Sequence, residues 1–410
     1  MAREISPSRT RQAPRGRWFV LAAYSLLVAA SQVVWLTFAP ITTQSASALG
    51  VSEGSVGILS GINPLLYALL ALPLGRWTDR RFNATLCAGA LLTVAGAVVR
   101  CIWPMSFAGI MVGQLLNAAG QPMILNATTK LAVRYFPPAQ RTLAVSVGSA
   151  AQFAGILTAS TAGNALFRTG GLQTVFAVYA GVAITAAACM LAALRVRPAA
   201  ADGPVAKGSL RWLRGDRVTW QLAGLLFIGM GVFNALATWL DPILNRLGYG
   251  QAASTLITLI TVSGMIGAAV LPPVAAARGR RRGVLICATA VTTLVFLTLA
   301  FTHNLVLITV ALVLEGFVLL AGLPIALEWS EIHAGPDRAG AAAGFLLCAG
   351  NLGGAVLVLL LEFLIDEPRL AFGAMALIAV PGLLLVARLP ATAAPQRSDT
   401  QRHALAGDLQ

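Results

Sequence analysis

Long apolar segments follow one another along almost the whole chain, with polar residues gathered between them. The runs are continuous and lack the period-two alternation that marks an outer-membrane β-strand. A bilayer core about 30 Å thick needs about 20 apolar residues per helix, so these runs predict membrane-spanning helices. The twelve predicted spans are residues 18–44, 55–77, 83–102, 104–129, 141–164, 172–194, 217–243, 253–277, 283–302, 304–327, 339–362 and 369–389.

The second six segments repeat the first six at offsets near 200 residues. This predicts an all-α membrane protein of twelve transmembrane helices in two pseudo-symmetric six-helix bundles, with a substrate site between them. The repeat also pairs proline positions, which predicts matched helix breaks facing a central cavity. The paired prolines are Pro40 with Pro242, Pro73 with Pro272, and Pro122 with Pro324. The predicted divisions are a disordered cytoplasmic tail (1–16), a first bundle (17–195), a cytoplasmic linker (196–216), a second bundle (217–389) and a cytoplasmic tail (390–410).

Composition and charge agree with a membrane protein. The chain is 57% hydrophobic and 11% charged, whereas soluble domains carry about 25% charged residues. The net charge of +14 is placed asymmetrically, because all but four of the 29 Lys and Arg residues fall on one predicted side. Such asymmetry places that side in the cytoplasm, with both termini, in a multi-pass protein of the plasma or cell inner membrane. The excess positive charge is therefore expected to orient the chain and contact lipid headgroups rather than nucleic acid.

Enzymatic and metal chemistry find no support in the sequence. The five cysteines and three histidines show no metal-ligand or redox spacing, and no nucleophile–base pair or phosphate-binding loop is recognisable. We therefore predict no catalytic residues, no metal and no cofactor. The partners expected are a small-molecule substrate and the lipid bilayer, and we expect a monomer.

One polar motif follows the second span. Gly75-Arg76-Trp77-Thr78-Asp79-Arg80 resembles the loop motif of the major facilitator superfamily. Asp79 could lie at the positive end of a neighbouring helix and pair with an arginine. The resemblance implies a cytoplasmic gate, for which the candidates are Gly75, Asp79, Arg80, Arg134 and Arg338. The matching loop of the second half, 278–282, has no acid, so the gate is expected to be one-sided.

A narrower resemblance covers spans 1–5, 7, 10 and 11. It is carried by Trp35-Leu36-Thr37-Phe38-Ala39-Pro40-Ile41, by 120–132 and by Leu323-Pro324-Ile325-Ala326-Leu327-Glu328. These segments are similar to the feline leukaemia virus subgroup C receptor-related transporters, which move choline, ethanolamine or related molecules and have been linked to heme. The resemblance implies an aromatic cage for a quaternary ammonium. Trp35 matches its Trp, but Asn234 and Asn351 stand where that family has Tyr and Gln.

Trp35 and several amides at membrane depth are the candidate cavity residues. Gln32 precedes Trp35 by one helical turn, so both can face the same side. A Trp face attracts a desolvated cation by about 0.5–2 kcal/mol. The alternative for the amides is contact between helices, worth about 0.6 kcal/mol each. The predicted cavity consists of Gln32, Trp35, Gln121, Asn126, Gln152, Asn234 and Asn351.

Glu315 and Glu328 are the candidates for proton or cation coupling. An ionisable group at the depth predicted for Glu315 is a functional hypothesis by default, with a hydrogen-bonded protonated acid as the alternative. We place no Arg or Lys deep in a span, which favours a neutral or cationic substrate. The predicted function is alternating-access transport of a small polar or cationic organic solute. The alternatives are a carrier of a neutral or weakly anionic metabolite or drug and, less favoured, a transport-inactive receptor or sensor.

Overall fold

The computed structural model describes residues 16–198, 210–334 and 338–392. Regular structure in those ranges is helical. A 3₁₀ segment, Leu36–Ile41, joins the first two helices. The helices are α1 (Arg17–Trp35), α2 (Thr42–Leu49), α3 (Glu53–Arg80), α4 (Phe82–Ile102), α5 (Phe107–Leu125), α6 (Thr128–Tyr135), α7 (Pro138–Ala193), α8 (Arg217–Arg246), α9 (Ala253–Ala277), α10 (Arg281–Phe301), α11 (Leu305–Ala334), α12 (Ala339–Glu362) and α13 (Pro368–Ala387).

Ten of the helical stretches in the described ranges are long and apolar enough to cross a membrane. One of them, Leu143–Ala193, is 51 residues long, about twice the length that a bilayer requires. It lies within α7, which is not continuous. Gly170 and Gly171 interrupt the helical backbone, and Gly171 has a φ of 65°, a left-handed conformation that glycine adopts without steric cost. The chain therefore reverses at this point, and α7 has two arms.

Helices from the same half of the chain pack against one another. In the first half α1 packs on α7 and α4 on α5, while in the second half α8 packs on α12, α9 on α11 and α10 on α13. The two halves meet where α3 packs on α12 and α7 on α9. Small residues permit these close approaches, as the Gly96 and Gly113 backbones leave no room for a side chain between α4 and α5.

The predicted span limits agree with the helices to within about four residues at most ends. Three ends differ, because the first span continues through α2 to Leu49, the first arm of α7 continues past residue 164 to Gly170, and α11 runs to Ala334 rather than to residue 327. The predicted tails lie almost wholly outside the described residues, as does most of the linker. Of the linker, the structure describes a short 3₁₀ helix, Leu210–Gly215, before α8.

The prediction of matched proline breaks is wrong for all but the first proline. Pro40 lies in the 3₁₀ segment that ends α1, so the first span is broken. Pro242 lies at the corresponding place in α8, yet α8 remains helical from Arg217 to Arg246. The other paired prolines also lie inside helices. Neighbouring groups can accommodate a proline in a membrane helix, as Thr42 does by donating to the carbonyl oxygen of Thr238 at 3.4 Å.

Candidate functional site

Trp35 ends α1 at the junction with the 3₁₀ segment and lies between the two halves of the chain. Its indole N–H donates to the backbone oxygen of Ser60 on α3 at 3.0 Å. The half-buried ring packs in a small apolar cluster that includes Phe153 and Ile156 of α7 and Ala237 of α8. Trp35 is thus fixed at one edge and packs against a cluster whose members come from both halves.

A buried polar network surrounds the backbone of Trp35. The side chain of Arg100 on α4 is only 1% exposed, and its Nη1 donates to the oxygen of Val34 at 2.8 Å. Its Nη2 donates to Gln114, whose own Nε2 donates to Asn63 Oδ1 at 2.8 Å and to the Trp35 oxygen at 3.4 Å. The prediction placed no Arg or Lys deep in a span, and Arg100 indeed lies near the end of α4, but its side chain is buried among the helices rather than exposed. We refer to Arg100, Gln114 and Asn63 as the Arg100 network.

Two predicted cavity glutamines lie in the first half of the chain. Gln121 is 4% exposed, and its Nε2 has no hydrogen-bond partner. A buried donor of this kind is costly unless a ligand or water satisfies it. Gln32 is 2% exposed and lies where α1 approaches Gly155 of α7 so closely that a side chain there would collide with it. The Gln121 amide therefore has an unsatisfied donor in this conformation, whereas Gln32 contributes to close helix packing.

The three asparagines are hydrogen-bonded within the protein, and Gln152 is half-buried on α7. Asn126 accepts a hydrogen bond from Tyr67 at 3.0 Å and donates to the Ala71 oxygen at 2.9 Å, so it joins the end of α5 to α3. Asn234 and Asn351 each donate to the carbonyl oxygen four residues earlier in their own helix. Asn126 thus matches the helix-contact alternative, whereas the other two bond within their own helices.

The two candidate acids are in different surroundings. Glu315 is fully buried between α11 and α10, where Thr292 donates to its Oε1 at 3.0 Å and its Oε2 has no partner. Glu328 is exposed enough to reach solvent and forms a two-point ion pair with Arg281 of α10, at 2.8 and 3.1 Å. The second half therefore does have an acid at this end, supplied by α11 rather than by the loop. Glu328 acts there as an ion-pair partner.

The predicted gate residues are only partly described. The side chain of Asp79 lies outside the described part of the structure, so its pairing stays a prediction. Arg134 is stacked over the ring of Phe82, with 4.7 Å between the guanidinium carbon and the ring centroid. Arg338 is stacked over Trp212 at 5.4 Å, which ties the start of α12 to the segment before α8. Arg80 is exposed, and Gly75 lies next to the Asn126 side chain.

A cluster of charged residues at the opposite end of the bundle was missed by sequence reasoning. Arg246 of α8 forms an ion pair with Glu53 of α3 at 2.7 Å and another with Asp366 at 2.6 Å. Glu53 also accepts from the Thr43 hydroxyl at 2.6 Å. The buried Asp241 accepts from the backbone N–H of Thr43 at 2.8 Å, near the start of α2. We call these five residues the Arg246 cluster, and it joins the two halves of the chain.

Asp241 contributes to the Arg246 cluster as a cap for a helix in the other half of the chain. The first N–H groups of an α-helix have no partner within the helix, and a carboxylate is favourable there. α2 begins at Thr42 without a side-chain cap of its own. Asp241 supplies the missing acceptor from α8. The only sequence signal for this role is an acid beside Pro242, at the position that pairs with Pro40 of the first span.

Comparison with known proteins gives the family. The model of the Major Facilitator Superfamily matches residues 20–278 and 253–407, which is most of the chain. The chain belongs to the Major Facilitator Superfamily. It is 28% identical over 376 residues to solute carrier family 49 member A3 of Danio rerio, covering 85% of this chain and 79% of that protein. The Xenopus tropicalis protein of the same name is 27% identical over 378 residues, covering 84% and 77%.

Solved structures of transporters share the fold. A nucleoside transporter, NupG, superposes with a TM-score of 0.71 at 11% identity, covering 90% of this chain and 99% of that one. A bacterial homolog of the human lysosomal transporter Spinster, in an inward-facing and unoccupied conformation, gives 0.68 at 19% identity, covering 91% and 94%. The superfamily member described here is a multi-pass membrane transporter, and the prediction that it is not an enzyme is confirmed.

Proposed function

We propose that this protein carries a small polar or cationic organic solute across the plasma or cell inner membrane by alternating access between two six-helix bundles. The observation that carries the proposal is the position of Trp35. It stands at the break in the first span, is oriented by Ser60 and packs against a cluster to which α7 and α8 both contribute. Broken helices in transporters mark substrate sites, and an indole face attracts organic cations.

The proposed twelve spans are the ten helices that are long and apolar enough to cross a membrane, together with α5 and the second arm of α7. α5 is 19 residues long and carries Gln114, Asn117 and Gln121, which lower its mean hydropathy. Its polar residues are buried against α1, α3 and α4 and are therefore not exposed to lipid. The two arms of α7 supply the other additional pass. We place the first bundle at 17–195 and the second at 217–389.

The Arg246 cluster defines the closed end of the transporter. Positive residues predominate at the end of the helices where α3 meets α4 and α9 meets α10, and that end is assigned to the cytoplasm with both termini. The Arg246 cluster lies at the opposite, extracellular end, where Ser254 of α9 also donates to the Ser160 oxygen of α7 at 2.5 Å. The conformation described is therefore closed toward the outside.

The substrate class is argued from the groups around Trp35. We infer membership of the solute carrier family 49 group, and the resembling family transports choline and ethanolamine. Asn234 in place of the cage tyrosine removes half of that cage, so we favour a solute with hydrogen-bonding groups besides its charge. Gln121 offers a donor for such a group, since its Nε2 is buried without a partner.

A second candidate is a neutral or weakly anionic metabolite or drug, and one observation favours it. Arg100 places a positive charge next to Val34, and it bonds to neutral oxygens there rather than to an acid. A cation near Trp35 would be repelled by that charge. The repulsion is weakened because the two terminal nitrogens of the guanidinium already bond to oxygens of Val34, Thr37 and Gln114. A transport-inactive receptor or sensor is less favoured and would bind a ligand without moving it.

A ligand screen on purified protein tests the proposal. Thermal unfolding is measured with choline, ethanolamine, a neutral polyol and a small carboxylate, and uptake of each stabilising compound is then measured in proteoliposomes. We expect stabilisation and uptake with amines, both lost in Trp35→Ala. Trp103→Ala, in which an exposed indole is removed, is the matched control. Stabilisation by the carboxylate alone would overturn the preferred substrate class, and binding without uptake would indicate the receptor.

A further inference from the structure

The break in the first span leaves backbone oxygens that need partners. α1 ends at Trp35, and the chain continues as a 3₁₀ segment through Ile41. The last four carbonyl groups of an α-helix have no α-helical hydrogen bond, and no water is available for them in a bilayer core. The hydroxyl of Thr37 partly serves this purpose, since it donates to Val34 at 2.9 Å and to Val33 at 3.1 Å.

The Arg100 network supplies the other donors. Arg100 Nη1 reaches the Val34 oxygen at 2.8 Å, and Gln114 Nε2 reaches the Trp35 oxygen at 3.4 Å. Arg100 and Gln114 are also bonded to each other. Asn63, which accepts from Gln114, lies one helical turn from Ser60, the acceptor for the Trp35 indole. A single network thus holds both the backbone and the side chain of Trp35.

The charge of Arg100 is tolerated because it lies at the C-terminal end of α1. The guanidinium is bonded to Val34, Thr37 and Gln114, all of which present neutral oxygens. Its central carbon lies 5.9 Å from the centroid of the Phe38 ring, a favourable cation–π distance. A helix C-terminus carries about half a negative charge, which a cation offsets. Arg100 therefore serves the broken helix through both terminal nitrogens, while its Nε has no hydrogen-bond partner.

Within the described residues of the second half, α8 has neither the break nor a corresponding network. Pro242 corresponds to Pro40, but α8 continues as a helix through it. At the repeat offset, Leu299 occupies the position of Arg100 and Glu315 that of Gln114. A proline at this place is thus not sufficient to break the span. The break occurs in the half that has an arginine and a glutamine to satisfy the freed carbonyl oxygens.

We propose that Arg100 is a positioning residue for Trp35. Acting with Gln114, it holds α1 open at Val34 and Trp35 and thereby fixes the indole at the interface between the halves. The assignment rests on the proposed function in one respect, namely that Trp35 contacts the transported solute. The geometric part, that Arg100 determines the orientation of Trp35, can be tested without any substrate.

The test isolates the emission of Trp35 from that of the other seven tryptophans. Emission and acrylamide quenching are measured for each protein and for the same protein carrying Trp35→Phe, and the difference reports Trp35 alone. In the parent protein we expect a shielded indole. Arg100→Gln and Gln114→Met should make this component markedly more quenchable, while Arg369→Gln, at an exposed arginine at the start of α13, should leave it unchanged.

Arg100→Lys separates positioning from charge. Lysine keeps the positive charge but has no planar fork with which to bond Val34 and Gln114 together. We expect it to resemble Arg100→Gln. If Arg100→Lys restores the parental Trp35 signal, or if folded Arg100→Gln and Gln114→Met both retain it, the proposal is wrong. Folding is checked by gel filtration and thermal unfolding. If Arg100→Gln does not fold, the quenching of Trp35 in the two single variants Arg100→Lys and Gln114→Met tests the proposal.

Transport kinetics give the second readout. With choline as the probe, we expect Arg100→Lys to raise KM about tenfold, which corresponds to about 1.4 kcal/mol, with a smaller change in kcat. In the Trp35→Phe background the same substitution should add little, because the residue acts through Trp35. Full additivity would contradict the positioning role. Absence of choline uptake by the parent protein would count against the proposed function and leave the fluorescence result to decide this inference.

Discussion

Neutralising Glu53 is expected to open the extracellular end of the transporter. Glu53 Oε2 lies 2.7 Å from Arg246 Nη2, and this ion pair joins α3 in the first half of the chain to α8 in the second. It can exist only when the two bundles meet at that end. Glu53→Gln removes the charge but keeps an oxygen that can accept the hydrogen bond from Thr43. The substitution therefore weakens the closed state while leaving each bundle intact.

The magnitude follows from how far the ion pair is shielded from solvent. The side chains are 27% exposed for Arg246 and 16% for Glu53. Exposed pairs contribute about 0.2–1 kcal/mol, and breaking fully buried ones costs about 3–5 kcal/mol. An intermediate loss of about 1–2 kcal/mol shifts the ratio of open to closed molecules by about 5- to 30-fold.

The second acid bonded to Arg246 provides the matched control. Asp366 lies 2.6 Å from Arg246 but belongs to the same bundle, and its side chain is 84% exposed. Because that ion pair can persist whether the bundles are closed or open, Asp366→Asn should change the ratio little. Asp366 also gives Arg246 a partner when Glu53 moves away, so the arginine need not lose all its pairing during opening.

Distances between two spin labels measure the ratio of open to closed molecules directly. Labels at Ser47 on α2 and His303, both exposed at this end, are introduced after replacement of the five native cysteines. Glu53→Gln should increase the population with the longer distance, and Arg246→Gln should do the same. The double variant should add little to either, because both remove one interaction. An unchanged distance distribution in Glu53→Gln would refute the assignment of this pair as a closure contact.

Two further predictions concern packing and coupling. Gly57 of α3 faces the indole of Trp239 on α8 so closely that Gly57→Ala forces the helices apart, and Trp239 is held by its N–H bond to the Val358 oxygen at 2.8 Å. The expected result is the same shift toward the longer label distance, with a strain of about 1–3 kcal/mol, whereas normal closure would show that the helices adjust. Glu315→Gln keeps an oxygen for Thr292 but cannot exchange a proton. We expect transport by this variant to lose its dependence on pH, and a profile identical to that of the parent would exclude Glu315 as the coupling group.

The hydrophobic pattern was sufficient to predict the helices because a bilayer imposes one requirement on every span. Each must be apolar over about the same length and must satisfy its own backbone. The ends are less certain, as α11 shows, because a helix can extend into water without a change in its apolar stretch. α5 shows the opposite difficulty, since its buried glutamines and asparagine lower its hydropathy although neighbouring helices shield them.

The sequence could predict the types of residue in the candidate site but not the hydrogen-bond partners of each side chain. Trp35 was recognisable from its depth and from the family resemblance, and the structure places it between the halves. Asn126 has the same composition signal as Gln121, but it is bonded on both sides to α3 while Gln121 keeps an unpaired donor. Amides at membrane depth are not distinguishable from sequence, because the contacts that satisfy them come from helices far away in the chain.

The sequence by itself determined an all-helical membrane protein with a repeated architecture and one predominantly positive side, because those features depend on the number and order of apolar and basic residues. Only the tertiary structure decided which charged side chains point into the protein and which groups they bond to. Arg100 lies two residues before the end of α4, a position from which an arginine ordinarily reaches the surface. In the structure it instead turns inward, where its terminal nitrogens bond to the Val34 oxygen at the end of α1 and to Gln114 of α5. The direction of a side chain depends on the helix that it faces, and that neighbouring helix is determined by the packing of segments that are distant in the sequence.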